Sequence, residues 1–538
     1  MFSAPQHEIK SIVILGGGTA GWMTAAALSK LLPAAHYHVT LVESDAIGTV
    51  GVGEATLPHL RFFNQRLGID EAEFIQQTNA TFKVGIEFSN WGQQGDAYIH
   101  PFGDYGFPIH GIPFHHFYSA LKQQQPELDL DRFSLPVMAC KSKKFAFPSS
   151  DPSSLSSTYS YAYHIDAGRY AAFLRRFAES NGVTRKEGKM LDVITRVSDN
   201  QIDSLVMDSG EKIKGDFFID CSGFRGQLIE QTLASGYEDW SHWLPCNSAI
   251  AIPSEHNGKP LPYTKAIARD AGWQWQIPLQ HRMGNGYVYC DSYINQQQAL
   301  DTLEKHLPGK GLAEPNYLRF STGKRKQGWK QNCVAIGLSS GFLEPLESTS
   351  IYLIQAAIMK LVELLPQRDN MAIKRDEFNR YFDHEMVRIR DFLILHYHAT
   401  ERDDTEFWRY CRDLTVPDSL SEKLSLFQQH GFIDTYQYGL FLEPSWVAVY
   451  FGQRQAPSTI DPRVKSQLTA GLIDTIDALQ HDIDAQVKQM PLHADVLKQL
   501  NTDYASRKAN QKSTANAQPA ITFNLNQPAK SSLYGSQS

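Results

Sequence analysis

Residues 11–22 read SIVILGGGTAGW, and this stretch decides the fold. A short β-branched apolar run leads directly into glycines, and the alanine-rich segment 19–32 that follows is closed by Pro33. The apolar run is typical of a buried strand, and the alanine-rich segment is typical of a helix. A second apolar run, HVTLVE, occupies residues 38–43. Strand, helix and strand in this order predict two parallel strands joined by a right-handed crossover.

The glycines between the first strand and the helix have GxGxxG spacing, as Gly16, Gly18 and Gly21. In such a loop the first glycine permits the tight turn, the second lets a pyrophosphate approach the backbone, and the third lets helix and strand pack closely. The N–H groups of the first helical turn then face the phosphates. Glu43 ends the next strand, close to the spacing at which an acid binds the adenosine ribose. The motif predicts a dinucleotide site.

The identity of the dinucleotide, FAD or NAD, stays open on this motif alone. Its position at the N-terminus favours FAD by analogy with flavoproteins. Residues 216–226 (DFFIDCSGFRG) resemble the late strand and turn that flavoproteins place near the adenine half of FAD. The sequence holds no second GxGxxG, so we expect no separate nicotinamide-binding domain, and reducing equivalents should arrive as reduced flavin.

Composition restricts the class of protein. The chain has 538 residues, 42% of them apolar, and a net charge of −7, which fits a globular protein and gives no electrostatic footprint for nucleic acid. Its six cysteines form no CxxC pair, which favours scattered thiols in a reducing compartment. The first ten residues lack the apolar segment of a secretory signal, and no run reaches about 18 apolar residues. We expect a cytoplasmic protein with no membrane or nucleic-acid partner.

The remaining pattern predicts an α/β fold with three parts. A Rossmann-type FAD-binding domain is assembled from discontinuous segments, and a mixed or antiparallel sheet on the substrate side includes residues 243–290. Residues 100–160 are rich in Pro, Gly and Ser and predict a loop-dominated segment. We expect a core over residues 1–370 that contains the FAD-binding segments and the substrate-side sheet, a mainly helical part covering the substrate site over 371–508, and a disordered tail over 509–538.

Four further segments carry distinctive motifs. They read GVGEATLP within a glycine-rich loop over 48–60, TFKVGI, WQWQIP and GFLEPLESTS, and they start at residues 51, 81, 273 and 341. In these segments the chain resembles the flavin-dependent tryptophan halogenase family. Together with GGGTAGW at the start, the likeness extends over residues 12–352 and continues more weakly to 450. The combination of WxWxIP with EPLEST makes the resemblance specific.

The resemblance implies a two-component enzyme that uses reduced FAD (FADH2), dioxygen and chloride or bromide. In that family a flavin hydroperoxide converts halide into hypohalous acid, which passes through an internal tunnel to a lysine beside an electron-rich aromatic substrate. Carried over by motif, the lysine is Lys83 and its partner acid is Glu347. The expected partners are a flavin reductase and a small aromatic substrate, and a homodimer is left open.

The same resemblance assigns the binding residues. Halide would rest on the backbone N–H groups of Thr349 and Ser350, at the start of a predicted helix. His100 and Phe102, in the segment HPFG, would enclose an aromatic ring together with Trp446. The implied FAD contacts are Gly16, Gly18, Thr19, Ala20, Gly21, Glu43, Ala55, Val193, Leu338 and Ile351.

The residue types suit this chemistry. A lysine can hydrogen-bond hypohalous acid or form a chloramine, and desolvation readily tunes its amine. A glutamate can take the proton of the arenium intermediate or polarise the oxidant, and Glu344 competes with Glu347 for that role. Trp273 and Trp275 would line the wall between flavin and substrate, with ordinary sheet-core aromatics as the alternative.

Two departures from the family pattern concern halide and substrate. Ser350 stands where the best-known members have glycine, so the N–H is kept but the Cβ restricts φ. In residues 436–446, Phe441 stands where an acid would bind the ammonium group of tryptophan, with Glu443 nearby as an alternative. The ring-stacking half of the site is present and the amino-acid clamp is not. We therefore expect an indole-type or other electron-rich aromatic substrate, not free tryptophan.

Rival functions remain open at this point. A single-component FAD aromatic hydroxylase or monooxygenase, or a non-catalytic FAD-binding protein, would share GxGxxG and Glu43 but would not need Lys83 with Glu347. His164 and Asp166 have the spacing of a non-haem iron facial triad. The βαβ start argues against the all-β scaffold of those iron enzymes, so we expect no metal.

Overall fold

A computed structural model describes residues 9–46, 53–256, 258–365, 371–434 and 439–516. The predicted opening is confirmed as strand β1 (Ser11–Leu15), helix α1 (Thr19–Leu31) and strand β2 (His38–Glu43). The chain then continues through β3 (Gly53–Ala55), α2 (His59–Leu67), α3 (Glu71–Thr78), β4 (Thr81–Lys83), β5 (Gly85–Ser89), β6 (Ala97–Pro101), α4 (Phe114–Gln124), α5 (Leu135–Lys141), β7 (Ala162–Asp166), α6 (Ala167–Ser180), β8 (Thr184–Glu187), β9 (Met190–Thr195), β10 (Ile202–Met207), β11 (Lys212–Lys214) and β12 (Phe217–Asp220).

The next part of the chain is mainly strand, and the last part is helical. The strand-rich part contains β13 (Tyr237–Asp239), β14 (Ser248–Ala251), β15 (Tyr263–Arg269), β16 (Gly272–Pro278), β17 (Met283–Tyr289), α7 (Gln296–Lys305), β18 (Asn316–Arg319), β19 (Gly323–Arg325), β20 (Trp329–Lys330), β21 (Cys333–Ala335) and β22 (Gly341–Phe342). The helical part contains α8 (Thr349–Glu363), α9 (Met371–His398), α10 (Glu406–Asp413), α11 (Asp418–His430), α12 (Glu443–Gly452), α13 (Pro462–Lys465), α14 (Ala470–Gln489) and α15 (His493–Asn516).

The dinucleotide-type sheet has the strand order β20-β21-β12-β1-β2-β8. Its strands run parallel from β21 to β8, and β20 pairs antiparallel at one edge. β1 lies at the centre and is buried from its second residue onward, as expected for a parallel strand covered on both faces. Helix α1 crosses from β1 to β2 and packs against α6. The predicted α/β class with a Rossmann-type βαβ unit is confirmed.

A second sheet has the strand order β18-β14-β17-β16-β15-β5-β6. Strands β14 to β17 confirm the sheet expected over residues 243–290, and they pair antiparallel. The sheet is mixed because β5 joins β15 in parallel. A small sheet, β3-β7-β4, carries Lys83 at the end of β4 and leads the chain straight into β5. Lys83 therefore lies where the two sheets meet.

The two segments expected as loops also contain regular elements. Most of the segment 100–160 is loop and turn, as expected, but it includes the helices α4 and α5. Residues 114–121 of α4 are all buried, so this helix lacks the polar face by which an amphipathic helix is recognised. Pro136 lies in the first turn of α5, where proline is tolerated. In the glycine-rich loop expected over 48–60, β3 and the start of α2 are ordered elements, and residues 47–52 lie outside the described residues.

The C-terminal part packs on the same core as the first sheet. The largest cluster of buried apolar side chains runs from β1 to α15, so the parts predicted as 1–370 and 371–508 share it, and their division into domains stays a prediction. Helix α15 continues to Asn516, which makes residues 509–516 helical where a disordered tail was expected. Residues 517–538 lie outside the described residues. Among the described helices, none is both long and apolar enough to cross a membrane.

Helix α1 approaches the glycine loop so closely at Gly21 that a larger residue there should destabilise the protein. A Cβ on Gly21 would lie 1.8 Å from the carbonyl oxygen of Gly16, so Gly21→Ala should lower the apparent melting temperature, since overpacking costs about 1–3 kcal/mol. Gly471→Ala in the first turn of α14 is the matched control, because a Cβ there meets nothing within 4 Å. Alanine is the better helix former, so the control should melt at the same or a higher temperature. Equal melting of both variants in a thermal scan would contradict the prediction.

Candidate active site

The glycine loop forms a cradle at the start of α1. Gly16 has φ +113°, and a Cβ there would lie 2.3 Å from the carbonyl oxygen of Cys221. A Cβ on Gly18 would meet nothing within 4 Å, so the space in front of this residue is open. Gly18 is also the N-cap of α1, and it provides no side-chain hydrogen bond to the first-turn N–H groups. Open space beside free N–H groups at a helix N-terminus fits the pyrophosphate of a dinucleotide.

Glu43 lies against this cradle. A Cβ on Gly17 would lie 1.5 Å from Glu43 Oε2, which shows how closely the carboxylate approaches the loop. Arg185 donates to Oε1 at 2.5 Å and Trp22 donates to Oε2 at 3.3 Å. A carboxylate has about four acceptor positions, so Glu43 keeps capacity for the hydroxyls of a ribose. The residues present therefore fit an adenosine dinucleotide.

The other expected FAD contacts lie on several elements. A Cβ on Gly337 would lie 2.7 Å from Ala20, so the short 3₁₀ turn that contains Leu338 packs against the start of α1, which begins at Thr19. Ile351 is buried in the first turns of α8. Val193 lies on β9, in the sheet β11-β10-β9, and packs against the apolar cluster of β1 and β2. Ala55 lies on β3, opposite His164 of β7.

Lys83 is enclosed completely, with 0% of its side chain exposed. Its amine donates to the carbonyl oxygen of Thr56 at 3.0 Å and to Ser348 Oγ at 2.7 Å. The nitrogen lies 4.9 Å from the centre of the Phe102 ring. Burial lowers the pKa of the amine to about 7, against the opposing effect of the negative charge of Glu347. A substantial fraction of Lys83 is therefore unprotonated at neutral pH.

Glu347 ends a 3₁₀ turn, Pro345–Glu347, and is also 0% exposed. His100 Nδ1 lies 2.9 Å from both carboxylate oxygens, and His396 Nε2 lies 2.7 Å from Oε1. Burial raises the pKa of Glu347, but the charges and contacts of the two histidines outweigh this and bring it down to about 2. Glu347 is thus an ionised acid in a site without solvent contact.

Glu344 differs from Glu347 in its hydrogen-bond partners and in the direction of its pKa shift. Trp273 donates to its Oε2 at 2.8 Å, and the Tyr397 hydroxyl donates to the same oxygen at 2.6 Å. Burial raises the pKa of Glu344 to about 7, and these two hydrogen bonds offset it only in part. Glu344 fixes the indole of Trp273 and does not share the histidine partners of Glu347. Trp273 and Trp275 are both buried in β16.

Ser348 links the lysine to the start of α8. It has φ +61°, in the left-handed region, and it is the N-cap of α8 without giving the helix a side-chain hydrogen bond. Thr349 follows as the first helical residue, and its buried hydroxyl has no partner among the described residues. Ser350 lies inside the helix and does not have a positive φ. The residue with a strained, left-handed backbone at this turn is Ser348. The start of α8 therefore has no side-chain cap.

Only some of the residues predicted to enclose an aromatic ring lie close to one another. Phe102 lies beside Lys83, whereas His100 and Trp446 are joined through Phe392, whose ring centre lies 5.9 Å from that of His100 and 5.3 Å from that of Trp446. Phe441 stacks on Phe392 with ring centres 4.0 Å apart. Sequence reasoning missed Phe392 and His396. Their spacing of four residues on α9 was the signal available, since it puts both side chains on one helix face.

Phe441 and Glu443 are the two positions considered for the acid of the expected amino-acid clamp, and the structure places both. Phe441 is buried among aromatic rings. Glu443 is 37% exposed at the start of α12, and its Oε1 lies 3.1 Å from His115 Nδ1. His115 Nε2 donates to the carbonyl oxygen of Gly431 at 2.8 Å. Glu443 is therefore engaged away from the ring cluster. Part of the region 436–446 lies outside the described residues, namely 436–438.

The iron facial-triad hypothesis is not supported. His164 contacts Thr81 Oγ1 through Nδ1 at 2.8 Å and Thr264 Oγ1 through Nε2 at 3.0 Å, so threonines occupy both ring nitrogens. Asp166 caps α6 through the Arg169 N–H and accepts from Arg282 at 3.0 Å. These contacts are structural.

Comparison with known proteins points the same way as the geometry. The tryptophan halogenase family matches residues 11–468. Tryptophan 6-halogenase ThaL from Streptomyces albogriseolus is 38% identical over 459 residues, covering 81% of this chain and 83% of that protein. The solved structure of BrvH, a flavin-dependent halogenase from Brevundimonas sp. BAL3, is 43% identical with a TM-score of 0.88, covering 91% of this chain and 99% of that one. A flavin-dependent halogenase from Xanthomonas campestris is 45% identical with a TM-score of 0.88, covering 92% and 98%.

The lowered pKa of Lys83 predicts a pH-dependent contribution to stability. Between about pH 7 and pH 10 the unfolded chain, with an ordinary lysine pKa of about 10.4, binds more protons at this position than the folded chain. Lys83 therefore stabilises the wild type increasingly as pH rises through this window. Lys83→Met removes the dependence, so the melting temperature of the variant minus that of the wild type should fall between pH 7 and pH 9.5.

The control for this measurement is Lys259→Met, because the Lys259 side chain is 68% exposed. For this variant the difference in melting temperature should stay constant over the same range. A constant difference for Lys83→Met as well would show that the Lys83 amine keeps its ordinary pKa in the folded protein.

Proposed function

The chain belongs to the tryptophan halogenase family, and from that premise we propose that Lys83 and Glu347 form its halogenation site. The protein is a flavin-dependent halogenase, an enzyme class that needs a separate flavin reductase. The comparisons fit a halogenating enzyme and not an FAD hydroxylase or a non-catalytic flavin protein. The observation that supports the site is geometric: Lys83 and Glu347 are both fully buried, and the Lys83 amine donates to Ser348, the residue that follows Glu347.

The family implies FAD, halide and dioxygen, and we assign the dinucleotide to the cradle at α1. The first-turn N–H groups beyond Gly18 would hold the pyrophosphate, and Glu43 would accept from the adenosine ribose. Reduced FAD, supplied by a flavin reductase, provides with dioxygen and halide the hypohalous oxidant. The turn at Leu338 and helix α8, which carries Ile351, would border the flavin, because the turn packs against the start of α1 and α8 packs against α1.

Halide is assigned to the N-terminus of α8. Thr349 and Ser350 present their N–H groups there, and the helix dipole favours a negative ion. The Thr349 hydroxyl is buried and, within the described residues, unpartnered, so it can donate to the anion. Chloride and bromide share this chemistry.

Lys83 is proposed to hold the oxidant beside the substrate. A neutral amine has two hydrogens and one lone pair, and Thr56 and Ser348 take both hydrogens. The lone pair is then free to accept the O–H of hypohalous acid or to bond the halogen as a chloramine. Burial favours the neutral form that this role requires.

Glu347 is proposed to complete the substitution. When the halogen–oxygen bond of hypohalous acid breaks and the halogen bonds to an aromatic carbon, that carbon becomes the tetrahedral centre of a cationic arenium. The hydroxide left behind becomes water with the proton that the arenium loses through Glu347. The carboxylate takes the proton from the same carbon, and the electrons of the broken C–H bond restore the aromatic ring. Before that transfer, the negative charge of Glu347 stabilises the cation in a dry site.

The substrate class is proposed from the rings around the site. Phe392, Phe441, Trp446 and His100 provide apolar and stacking surface for a flat electron-rich ring, such as an indole. A free amino acid also brings an ammonium group, which is costly to desolvate without a counter-charge. Phe441 is apolar and Glu443 is paired with His115. An indole-type compound without the zwitterionic side chain therefore fits better than tryptophan.

The role of Glu347 predicts a large loss of turnover in Glu347→Gln. Replacing the base with an amide should lower kcat by about 10²–10⁴-fold, with little change in KM for the aromatic substrate. Glu344→Gln is the matched control, because its acid has a pKa raised to about 7 and a glutamine keeps the oxygen that accepts from Trp273 and Tyr397. Its kcat should stay within a few-fold of the wild type. Steady-state rates with reduced FAD and bromide decide; a larger loss in the Glu344 variant would reverse the assignment.

The substrate proposal predicts that indole outcompetes L-tryptophan. Leaving a charged group unpaired costs at least about 1–3 kcal/mol, so kcat/KM for indole should be at least about tenfold higher. Both compounds are offered in one vessel, and halogenated products are quantified by mass spectrometry. Tryptamine and indole-3-propionate serve as controls, since each carries only one of the two charges. A product ratio favouring tryptophan would show that the chain does hold an amino-acid clamp.

A further inference from the structure

Strand β4, which carries Lys83, lies at the edge of the small sheet β3-β7-β4. It pairs with β7 on one side, so the N–H groups on its other side have no strand partner in that sheet. Two of these groups are satisfied in other ways. The N–H of Val84, just after β4, donates to the carbonyl oxygen of Pro262 at 2.7 Å, and the N–H of Phe82 donates to Nε2 of His493 at 3.1 Å. A side chain of α15 therefore completes the hydrogen bonding of the strand that ends in Lys83.

His493 is fully buried, and both of its ring nitrogens are used. Nδ1 lies 2.9 Å from the carbonyl oxygen of Pro260, which only accepts, so Nδ1 carries the proton. Nε2 accepts from the backbone N–H of Phe82 and therefore carries none. The ring is neutral, in agreement with the burial that lowers the pKa of His493 to about 4. With one donor and one acceptor, the imidazole joins β4 to the segment before β15 as a peptide group would.

The backbone of His493 is itself held by the segment that follows α5. Its N–H donates to the carbonyl oxygen of Lys143 at 3.0 Å, and the N–H of Phe145 donates to the carbonyl oxygen of Pro491 at 3.2 Å. The ring of Phe145 stacks on that of Phe82 with ring centres 4.1 Å apart. The start of α15 and this segment therefore hold both the backbone and the ring of Phe82, the residue before Lys83.

A second chain of hydrogen bonds leads from α15 to the other end of β4. Asn501 Nδ2 donates to Oε1 of Gln280 at 2.7 Å, and Gln280 Nε2 donates to the carbonyl oxygen of Ala80 at 2.7 Å. Ala80 directly precedes β4. Helix α15 also packs against α3, the helix that leads into β4. The strand is thus linked to α15 at both of its ends.

Helix α15 lies beyond residue 468, where the match to the tryptophan halogenase family ends. We propose that α15 positions the halogenation site, with His493 as a positioning residue that fixes the backbone of β4 and thereby the amine of Lys83. This role rests on the proposed function of Lys83 in holding the oxidant. The amine keeps its contacts with Thr56 and Ser348 only while the strand stays in place. A loosened strand lets hypohalous acid leave before it meets the aromatic ring.

His493→Phe tests this role, because it keeps an aromatic ring at the position and removes both hydrogen bonds. Indole is brominated with reduced FAD, bromide and catalase, and free methionine in excess captures as sulfoxide any oxidant that leaves the site. The share of oxidant recovered as bromoindole should fall at least about tenfold, since a misplacement of about 1 Å can cost about 10²-fold. His493→Gln should recover much of that share, because its amide oxygen can accept from Phe82. His481→Phe, exposed on α14, is the control and should keep the wild-type share.

Amide hydrogen exchange of the full-length, flavin-free protein is a readout that does not depend on activity. The peptide that contains β4 should exchange faster in His493→Phe than in the wild type, because the N–H of Phe82 has lost its acceptor. His481→Phe should leave this exchange unchanged. Asn501→Ala, at a partly buried position, cuts only the link through Gln280. It should change exchange and bromoindole share in the same directions, so it decides the matter if His493→Phe fails to fold.

Two results would overturn the inference. Faster exchange of β4 with an unchanged bromoindole share would show that His493 has only a structural role. Unchanged exchange would show that α15 does not hold the strand. An unchanged bromoindole share in Lys83→Met would instead contradict the proposed function of Lys83, so the two failures are distinguishable.

Discussion

A carboxylate without solvent contact must be matched by positive charge or hydrogen-bond donors, and in this protein that requirement falls on Glu347. Leaving such a group unpaired in a dry interior costs several kcal/mol. Its partners come from β6, through His100, and from α9, through His396. Lys83 acts on it from β4, in a different sheet. Because His100 belongs to the second sheet and His396 to the C-terminal helices, Glu347 is matched only when these two parts of the chain have both assembled.

Backbone strain at Ser348 serves the same site. A left-handed conformation is costly for a non-glycine residue, and strain of this kind persists where the surrounding structure enforces it. Here the turn sends the Ser348 hydroxyl towards Lys83 and withholds it from the helix it precedes. The N–H groups at the start of α8 therefore receive no cap from the Ser348 side chain. One strained residue thus accepts from the Lys83 amine and leaves the start of the helix uncapped.

Much of the fold was predictable because its signals are local. The βαβ start follows from apolar periodicity and three glycines, and the sheet over 243–290 follows from its alternation. Helix α4 was missed because its first eight residues are all buried, so that polar and apolar positions do not alternate with exposure along most of its length. Lys83 and Glu347 were predicted through motifs. His396 and Phe392 carry no motif, and only the tertiary packing of α9 against β6 gives them their place. The left-handed turn at Ser348 has no sequence signature, since serine rarely adopts it.

The pKa values of Lys83 and Glu347 are both lowered, although one side chain is proposed to act as an uncharged amine and the other as a proton acceptor. A carboxylate with a pKa of about 2 is a weak base, yet an arenium is a strong acid, so what limits the proton transfer is whether the acceptor is ionised and in position. Lys83, in contrast, must be uncharged so that its lone pair is free, and a pKa of about 7 makes this form available at neutral pH. If the two side chains formed a salt bridge, the amine would stay protonated and neither role would be met. Lys83 instead donates to Thr56 and Ser348, while Glu347 contacts His100 and His396. Because their hydrogen-bond partners differ, the amine and the carboxylate do not neutralise each other, which is what the proposed roles of oxidant holder and proton acceptor require.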